Sequence, residues 1–241
     1  MTPLITPRGE INTSELFRVV DLMNEDFQAD GTALPEGWST NEVATNPDGS
    51  MAGANTNAFE LGDAADANNG GYWPVPDFPG NRFAGANDDD DPCDCVMTQA
   101  WIQMPELDFT DIGNAALSMD IFHDQGFGGG DAILEISNDM GESWATLIEA
   151  LPVDESVWQT IIVPLYDYSG DASVTLRITW TDNDVWASGF ALDNVIVGEL
   201  ADYNLAAAKV LIGDWSLPEV QAGVWDYSMI PDEQVGELSA T

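Results

Sequence analysis

The chain has 241 residues, 44% of them hydrophobic, and sets 43 acidic residues against five basic ones, a formal net charge of −38. That balance excludes nucleic acid as a partner, because phosphates would be repelled, and disfavours docking on anionic membranes. No apolar run reaches the length of a membrane span, and nine Trp with nine Phe set the chain apart from a disordered acidic tail.

Residues 1–15 read as a loose leader, with Pro3, Pro7 and Gly9. The first 18 residues lack the basic region, apolar stretch and cleavage site of a signal peptide. The expected setting is still secreted or cell-surface, with the export signal removed or the chain lying inside a larger exported protein. Leu16–Val20 reads as a short strand or helical turn. Residues 28–95 are dense in Gly, Asn, Asp and Pro and read as a long loop. Within it, Leu34–Trp38 is a turn feeding a short strand, Ala58–Leu61 is a second strand, and Asn87–Asp91 is an acidic loop that needs neutralising if buried.

From residue 96 the β signal is clear. Trp101–Met104 comes first. Ala116–His123 and Ala132–Ser137 alternate apolar and polar at period two, joined by the flexible Gln125–Asp131. Trp144–Ile148, Trp158–Val163, Val174–Trp180 and Ala191–Val197 follow, with turns at Asn138–Gly141, Ser169–Asp171 and Thr181–Asp184. Strands at this spacing with almost no helical period predict an all-β jelly-roll sandwich over residues 16–199. Asn204–Ile212 and Gly223–Ile230 read as two more strands, so residues 200–241 are expected to be a hairpin-like extension or the opening of a truncated immunoglobulin-like domain.

Folding so much like charge is self-repulsive, and salt or a bound cation relieves it. Calcium, which takes six to eight oxygens, is the expected ion. Asp26, Asp30 and Gly31 imitate the first half of an EF-hand loop, but Gly37 stands where a bidentate Glu is required. Cys93 and Cys95 are read as a local disulfide in preference to free thiols or a metal site. His123, the single histidine, is read as a strand-end residue hydrogen-bonded to its neighbour Asp124, and no catalytic fingerprint accompanies it. Trp38, Trp101, Trp144, Trp158 and Trp180 are assigned to the core. Tyr72, Trp73 and Phe78 in the long loop, together with Phe83, either pin that loop to the sandwich or stack on sugar rings.

Several segments, in order, resemble one family. Glu25-Asp26-Phe27 with Leu34-Pro35-Glu36-Gly37-Trp38, Asn87-Asp88-Asp89 with Cys93-Asp94-Cys95, Met104-Pro105-Glu106-Leu107-Asp108-Phe109, Glu135 to Trp144, and Leu192-Asp193-Asn194-Val195 are similar to motifs of the cleaved-adhesin and choice-of-anchor J jelly rolls, relatives of MAM domains in secreted bacterial proteins. Met140 departs from the glycine usual in the fourth of these. The resemblance implies that Glu25 or Asp26, with Asp30, meets Asp193 around calcium; Asp88 or Asp90 of the acidic loop is a further candidate ligand, the alternative being a solvated loop. It also implies a non-enzymatic, calcium-stabilised adhesion module whose partner is a cell-surface protein or glycan. Two alternatives stand beside it. One is a carbohydrate-binding accessory of a secreted hydrolase or peptidase, and the other is a fibre subunit that pairs through its tail strands.

Overall fold

The structure is a computed structural model in which residues 3–10, 17–40, 59–68, 71–88, 99–183 and 185–200 are described. By its contacts the chain divides into Met1–Glu199 and Leu200–Thr241, and the account below concerns the first unit with the last residue of its final strand. Cys93, Cys95, Asp90 and the tail expected after residue 200 lie outside the described residues.

Among the described residues, twelve strands, one short α-helix and a 3-10 turn at Tyr166–Tyr168 follow one another: β1 (Leu4–Pro7), β2 (Phe17–Glu25), β3 (Ser39–Thr40), β4 (Glu60–Gly62), α1 (Ala64–Ala67), β5 (Phe83–Asn87), β6 (Ala100–Gln103), β7 (Ala115–Asp124), β8 (Asp131–Ser137), β9 (Ala145–Ile148), β10 (Gln159–Pro164), β11 (Thr175–Thr181) and β12 (Gly189–Leu200). They form the expected jelly-roll sandwich of two antiparallel sheets. The first sheet runs β1-β10-β7-β12-β5-β4, with β2 also on β12; the second runs β3-β6-β11-β8-β9.

The core follows from the period-two pattern. Leu117, Met119 and Ile121 of β7 and Phe190, Leu192, Val195 and Val197 of β12 meet Ile102, Leu134, Ile136, Leu176, Ile178 and Trp180 of the second sheet in one buried cluster. Period-two alternation is the ordinary mark of a half-buried strand. Instead, all ten residues of β7 are buried. Its other face lies under a second apolar cluster, built by Trp73, Val75 and Phe83 over Phe122, Trp158 and Ala191.

Two readings from the sequence are corrected here. The supposed leader contributes a strand: Leu4–Pro7 pairs with Ile162–Gln159 at the edge of the first sheet, where a proline costs no internal ladder bond. The long loop also contains β5, which pairs with β12 from Asn87↔Gly189 to Ala84↔Leu192. Its sequence, FAGAN, has no large alternating side chains to reveal a strand. The small residues are there because Trp73 lies on them: a Cβ on Gly85 would come 3.1 Å from Trp73 Cη2.

Candidate functional site

The loop layer over the first sheet holds the chemistry. Trp73 is 2% exposed, and its ring lies across Gly85 and Gly189, where a Cβ at Gly189 would sit 2.7 Å from Trp73 Cδ2. Edge-to-face contacts tie Trp73 to Phe83 at 6.3 Å and Phe83 to Trp158 at 5.4 Å. Of the two readings of these aromatics, pinning is the one that holds for Trp73; the face is not an open platform, because the glycines let the ring sink onto the sheet. Tyr72 and Phe78 stay exposed, at 47% and 44%. Tyr72 meets the exposed Phe127 edge-on at 5.8 Å, and Phe78 caps the Arg8 guanidinium at 4.9 Å.

Beside Trp73 opens a cavity of about 370 Å³. One wall is apolar, made of Trp73, Phe83 and Leu61; the other carries Glu60, Asp63, Asp66, Asn87 and Thr32. The helix α1 presents two of these carboxylates through a reciprocal cap. Asp63 Oδ1 accepts from the backbone N–H groups of Ala65 (2.8 Å) and Asp66 (3.0 Å), and Asp66 Oδ2 accepts from that of Asp63 (3.0 Å). Those bonds engage one oxygen of each carboxylate. Asn87 Nδ2 donates to Ala67 O at 2.8 Å, which orients its amide. The cavity therefore combines an aromatic wall with fixed hydrogen-bond acceptors.

Farther along the same face, an ion cluster closes the layer. Asp193 of β12 stands opposite Asp120 of β7. A register shift follows Asp193, and Asn194 adopts a left-handed φ of 47°. This bulge turns Asn194 back on the acids: its backbone N–H donates to Asp193 Oδ1 and its Nδ2 to Asp120 Oδ2, both at 2.8 Å. Thr160 Oγ1 donates to Asp120 Oδ1 at 2.5 Å. Arg8 bridges the pair, with Nε 3.0 Å from Asp120 Oδ2 and Nη2 2.9 Å from Asp193 Oδ2. Its Nη2 also donates to Asn81 Oδ1 at 3.2 Å. Burial pushes the Asp193 carboxyl up to about 6, despite the opposing pull of Arg8.

Among the described residues, the acids of the expected calcium set are not brought together. Asp193 faces Arg8. Glu25 Oε1 accepts from the N–H of Phe27 at 2.8 Å and Asp26 Oδ1 from that of Gln28 at 3.2 Å, so both fold back on the chain after β2. Asp30 is exposed. Asp88 is buried, and its Oδ2 accepts from the N–H of Ala187 at 3.0 Å, joining the acidic loop to the loop before β12. Among the described residues no three acidic, His or Cys side chains converge on one point. The physical reason at Asp193 is direct: a guanidinium already supplies the positive charge. His123 is also corrected. It is buried, packs edge-on to Phe190 at 5.3 Å, and burial lowers its pKa, while Asp124 Oδ1 instead accepts from the N–H of Gly126 at 2.7 Å.

The sequence reading missed Arg8, Asp120 and the acids of the cavity. The Asp63-x-x-Asp66 spacing is a capping-box signal that the chain does carry. Arg8 announced itself only by its rarity, as one of five basic residues in a chain whose many carboxylates attract them.

No protein-family profile matches the chain, and no curated protein sequence matches it. Solved structures do. One is a cleaved adhesin domain of Lys-gingipain from Porphyromonas gingivalis, 14% identical over 74% of this chain and 98% of that one, with a TM-score of 0.49. A second is a xylan-binding domain from Paenibacillus barcinonensis, 13% identical over 76% and 97%, with a TM-score of 0.43. A third is a cyclase from Fischerella, 19% identical over 76% and 100%, with a TM-score of 0.46. The cleaved-adhesin likeness drawn from the sequence motifs thus recurs among the structural neighbours. These likenesses concern the fold, and they include an enzyme as well as binding domains.

Proposed function

We propose that this chain is a non-enzymatic binding module of a secreted or cell-surface protein, and that its cavity takes a neutral sugar. The observation that carries this reading is the cavity between Trp73, Phe83 and the carboxylates of Glu60, Asp63 and Asp66. Its volume of about 370 Å³ falls in the range of small-ligand sites. A sugar has two kinds of surface: C–H faces that lie on aromatic rings, and hydroxyls that donate to carboxylates. The carboxylate wall supplies the acceptors, and the apolar wall offers the C–H groups the edges of Trp73 and Phe83, whose ring faces are covered. The net charge of −38 disfavours uronic or sulfated glycans, which would bring more negative charge to an acidic site. Adhesion follows when the glycan belongs to another surface.

The test is a glycan array followed by calorimetry on the hits. Neutral oligosaccharides are expected to bind. Glu60→Gln, at an exposed position outside the core, is expected to weaken them about tenfold, roughly the 1.4 kcal/mol of one charge-assisted hydrogen bond. An array without neutral-glycan hits, or hits indifferent to Glu60→Gln and Asp66→Asn alike, would overturn the reading.

A further inference from the structure

Apolar side chains that converge on a surface and cannot fold away mark a contact site. Such a ridge stands at one end of the sandwich. Phe127, in the loop from β7 to β8, meets Tyr72, in the loop before β5, edge-on with both residues nearly half exposed. A third loop, before β12, carries the exposed Val185 and Trp186, the latter at 60%. The base under these side chains is fixed. A Cβ added to Gly129 would lie 2.6 Å from Trp186 O, 2.7 Å from the Val185 side chain and 2.9 Å from Asp182 O, so the two loops are in close contact. The N–H of Gly128 donates to Gln125 O at 2.7 Å, and Gln125 Nε2 donates to Gly130 O.

Position links this ridge to the cavity. Tyr72 directly precedes Trp73, which walls the cavity. Asn87, also in that wall, pairs with Gly189, and Gly189 pairs with Asp124, where the Phe127 loop begins. Two strand spacings, about 10 Å, separate Asn87 from Asp124. The acids at this end hold the loops. Asp124 Oδ1 accepts from the N–H of Gly126 at 2.7 Å, Asp88 Oδ2 from that of Ala187 at 3.0 Å, and Asp131 Oδ2 from Asn183 Nδ2 at 2.8 Å. The ridge thus offers rings where the rest of the surface offers charge, which suits a neutral ligand better than a basic one. The net charge of −38 sets it against anionic lipid.

We infer that the Tyr72–Phe127 ridge holds a second unit of the neutral glycan whose first unit fills the cavity, so that the module binds an oligosaccharide and not a single sugar. This rests on the cavity reading. The C–H face of a sugar ring lies on an aromatic ring, and at the ridge, unlike at Trp73, the rings are open to receive one.

The test takes the neutral oligosaccharide that binds best on the array and measures it by calorimetry beside its shortened forms, down to the single sugar. The native chain is expected to bind the full oligosaccharide about tenfold more tightly than the single sugar. Phe127→Ala and Tyr72→Ala, both at exposed positions, are expected to erase most of that gain, and Phe127→Trp, which keeps a ring, is expected to retain it. Glu60→Gln is expected to weaken every length alike. Affinity that does not rise with length, or that rises equally in Phe127→Ala and the native chain, would overturn the inference and leave the cavity reading standing. A gain lost in Phe127→Ala beside indifference to Glu60→Gln and Asp66→Asn would overturn the cavity reading and support the ridge as the sugar contact. No neutral glycan bound at any length would overturn both. Binding to phosphatidylcholine vesicles that the ridge variants lose, with their glycan affinity unmoved, would overturn the inference in favour of a lipid surface.

Discussion

Among the described side chains, Arg8 lies against the outer face of the first sheet and Arg177 against that of the second, and the two are equally covered, with 18% exposure each. The difference lies in the acids. On the second sheet, Arg177 meets one carboxylate: its Nε and Nη2 both lie 2.9 Å from Glu135 Oε2. Its guanidinium stacks 4.0 Å above Trp144, and Thr179 Oγ1 donates to the same oxygen at 2.8 Å. Charge balances there, one against one. On the first sheet, Arg8 meets two carboxylates, one of them fully buried. Burial, with a smaller contribution from the neighbouring Asp120 charge, pushes the Asp193 carboxyl up to about 6 despite Arg8. An open face can leave an imbalance to solvent; a face under a loop layer must neutralise it with a cation, a proton or hydrogen bonds.

The strongest way to break this comparison is to remove each arginine in turn. Arg8→Ala strands two buried acids and is expected to cost about 3–5 kcal/mol in urea unfolding. Arg177→Ala leaves one carboxylate still held by Thr179 at the sheet surface, and about 1 kcal/mol is expected. Equal costs would show that coverage of the guanidinium, and not the number of acids, sets the energy.

A pH series sharpens the same point. The folded Asp193 carboxyl titrates near 6, above its ordinary value of 3.8. Between those values the folded state holds a proton that the unfolded state has released. Ionising Asp193 therefore lowers stability; the penalty is complete above pH 6 and relieved as pH falls towards 4. Asp193→Asn gives the first sheet the one-to-one balance of the second and removes this titration. Relative to that variant, the native chain is expected to gain up to roughly 3 kcal/mol between pH 7 and 4. His123 works the other way, since its lowered pKa makes stability fall as pH drops through 6.5. It is present in both proteins, so their difference isolates Asp193. A difference that does not vary with pH would mean that Arg8 keeps Asp193 ionised throughout.

What the sequence revealed, and what it hid, divides along the same line. The strands from residue 115 to 200 are legible because each alternates locally and ends in a turn. β1 is not, because four residues with a proline at either end carry little pattern. β5 is not, because its residues are small to admit Trp73, a fact of tertiary contact. Asp120 fell on the polar side of a regular alternation, which says nothing of a loop layer above it. Asp193 was singled out through the resemblance with its partner misassigned, because pairing residue 8 with residue 193 leaves no local trace. The cavity acids share this limit: their capping spacing is local, but the wall opposite them comes from residues 73 and 83.

The loop layer's grip on the first sheet can be tested at Gly189. A Cβ there would lie 2.6 Å from Ala86 O and 2.7 Å from the Trp73 ring. Gly189→Ala must therefore lift Trp73 or bend β12 away from β5, at an expected cost of about 1–3 kcal/mol. Because Trp73 walls the cavity, neutral-glycan binding is expected to fall with it. Unchanged stability would show the layer to be loosely seated, and Asp193 would then owe its burial to Arg8 alone.

The smallest effect belongs to the second sheet, where a turn can be altered without consequence elsewhere. Between β8 and β9, Met140 and Gly141 both take left-handed φ values, 60° and 81°, and the N–H of Glu142 donates to Asp139 O at 3.3 Å. Left-handed conformations at both central positions suit a tight hairpin but not a methionine. The turn holds because Asp139 collects hydrogen bonds from the hydroxyl and N–H of Ser143 and the hydroxyl of Ser137, which hold its carboxyl at about 2. Met140 is 75% exposed, so its removal loses no burial. Met140→Gly relieves the strain and concedes some unfolded-chain entropy, leaving an expected gain of about 0.5 kcal/mol, or one to two degrees in melting temperature. A loss instead would mean that the methionine side chain holds a contact on the open face. That face would then be less independent of its loops than its balanced charges imply.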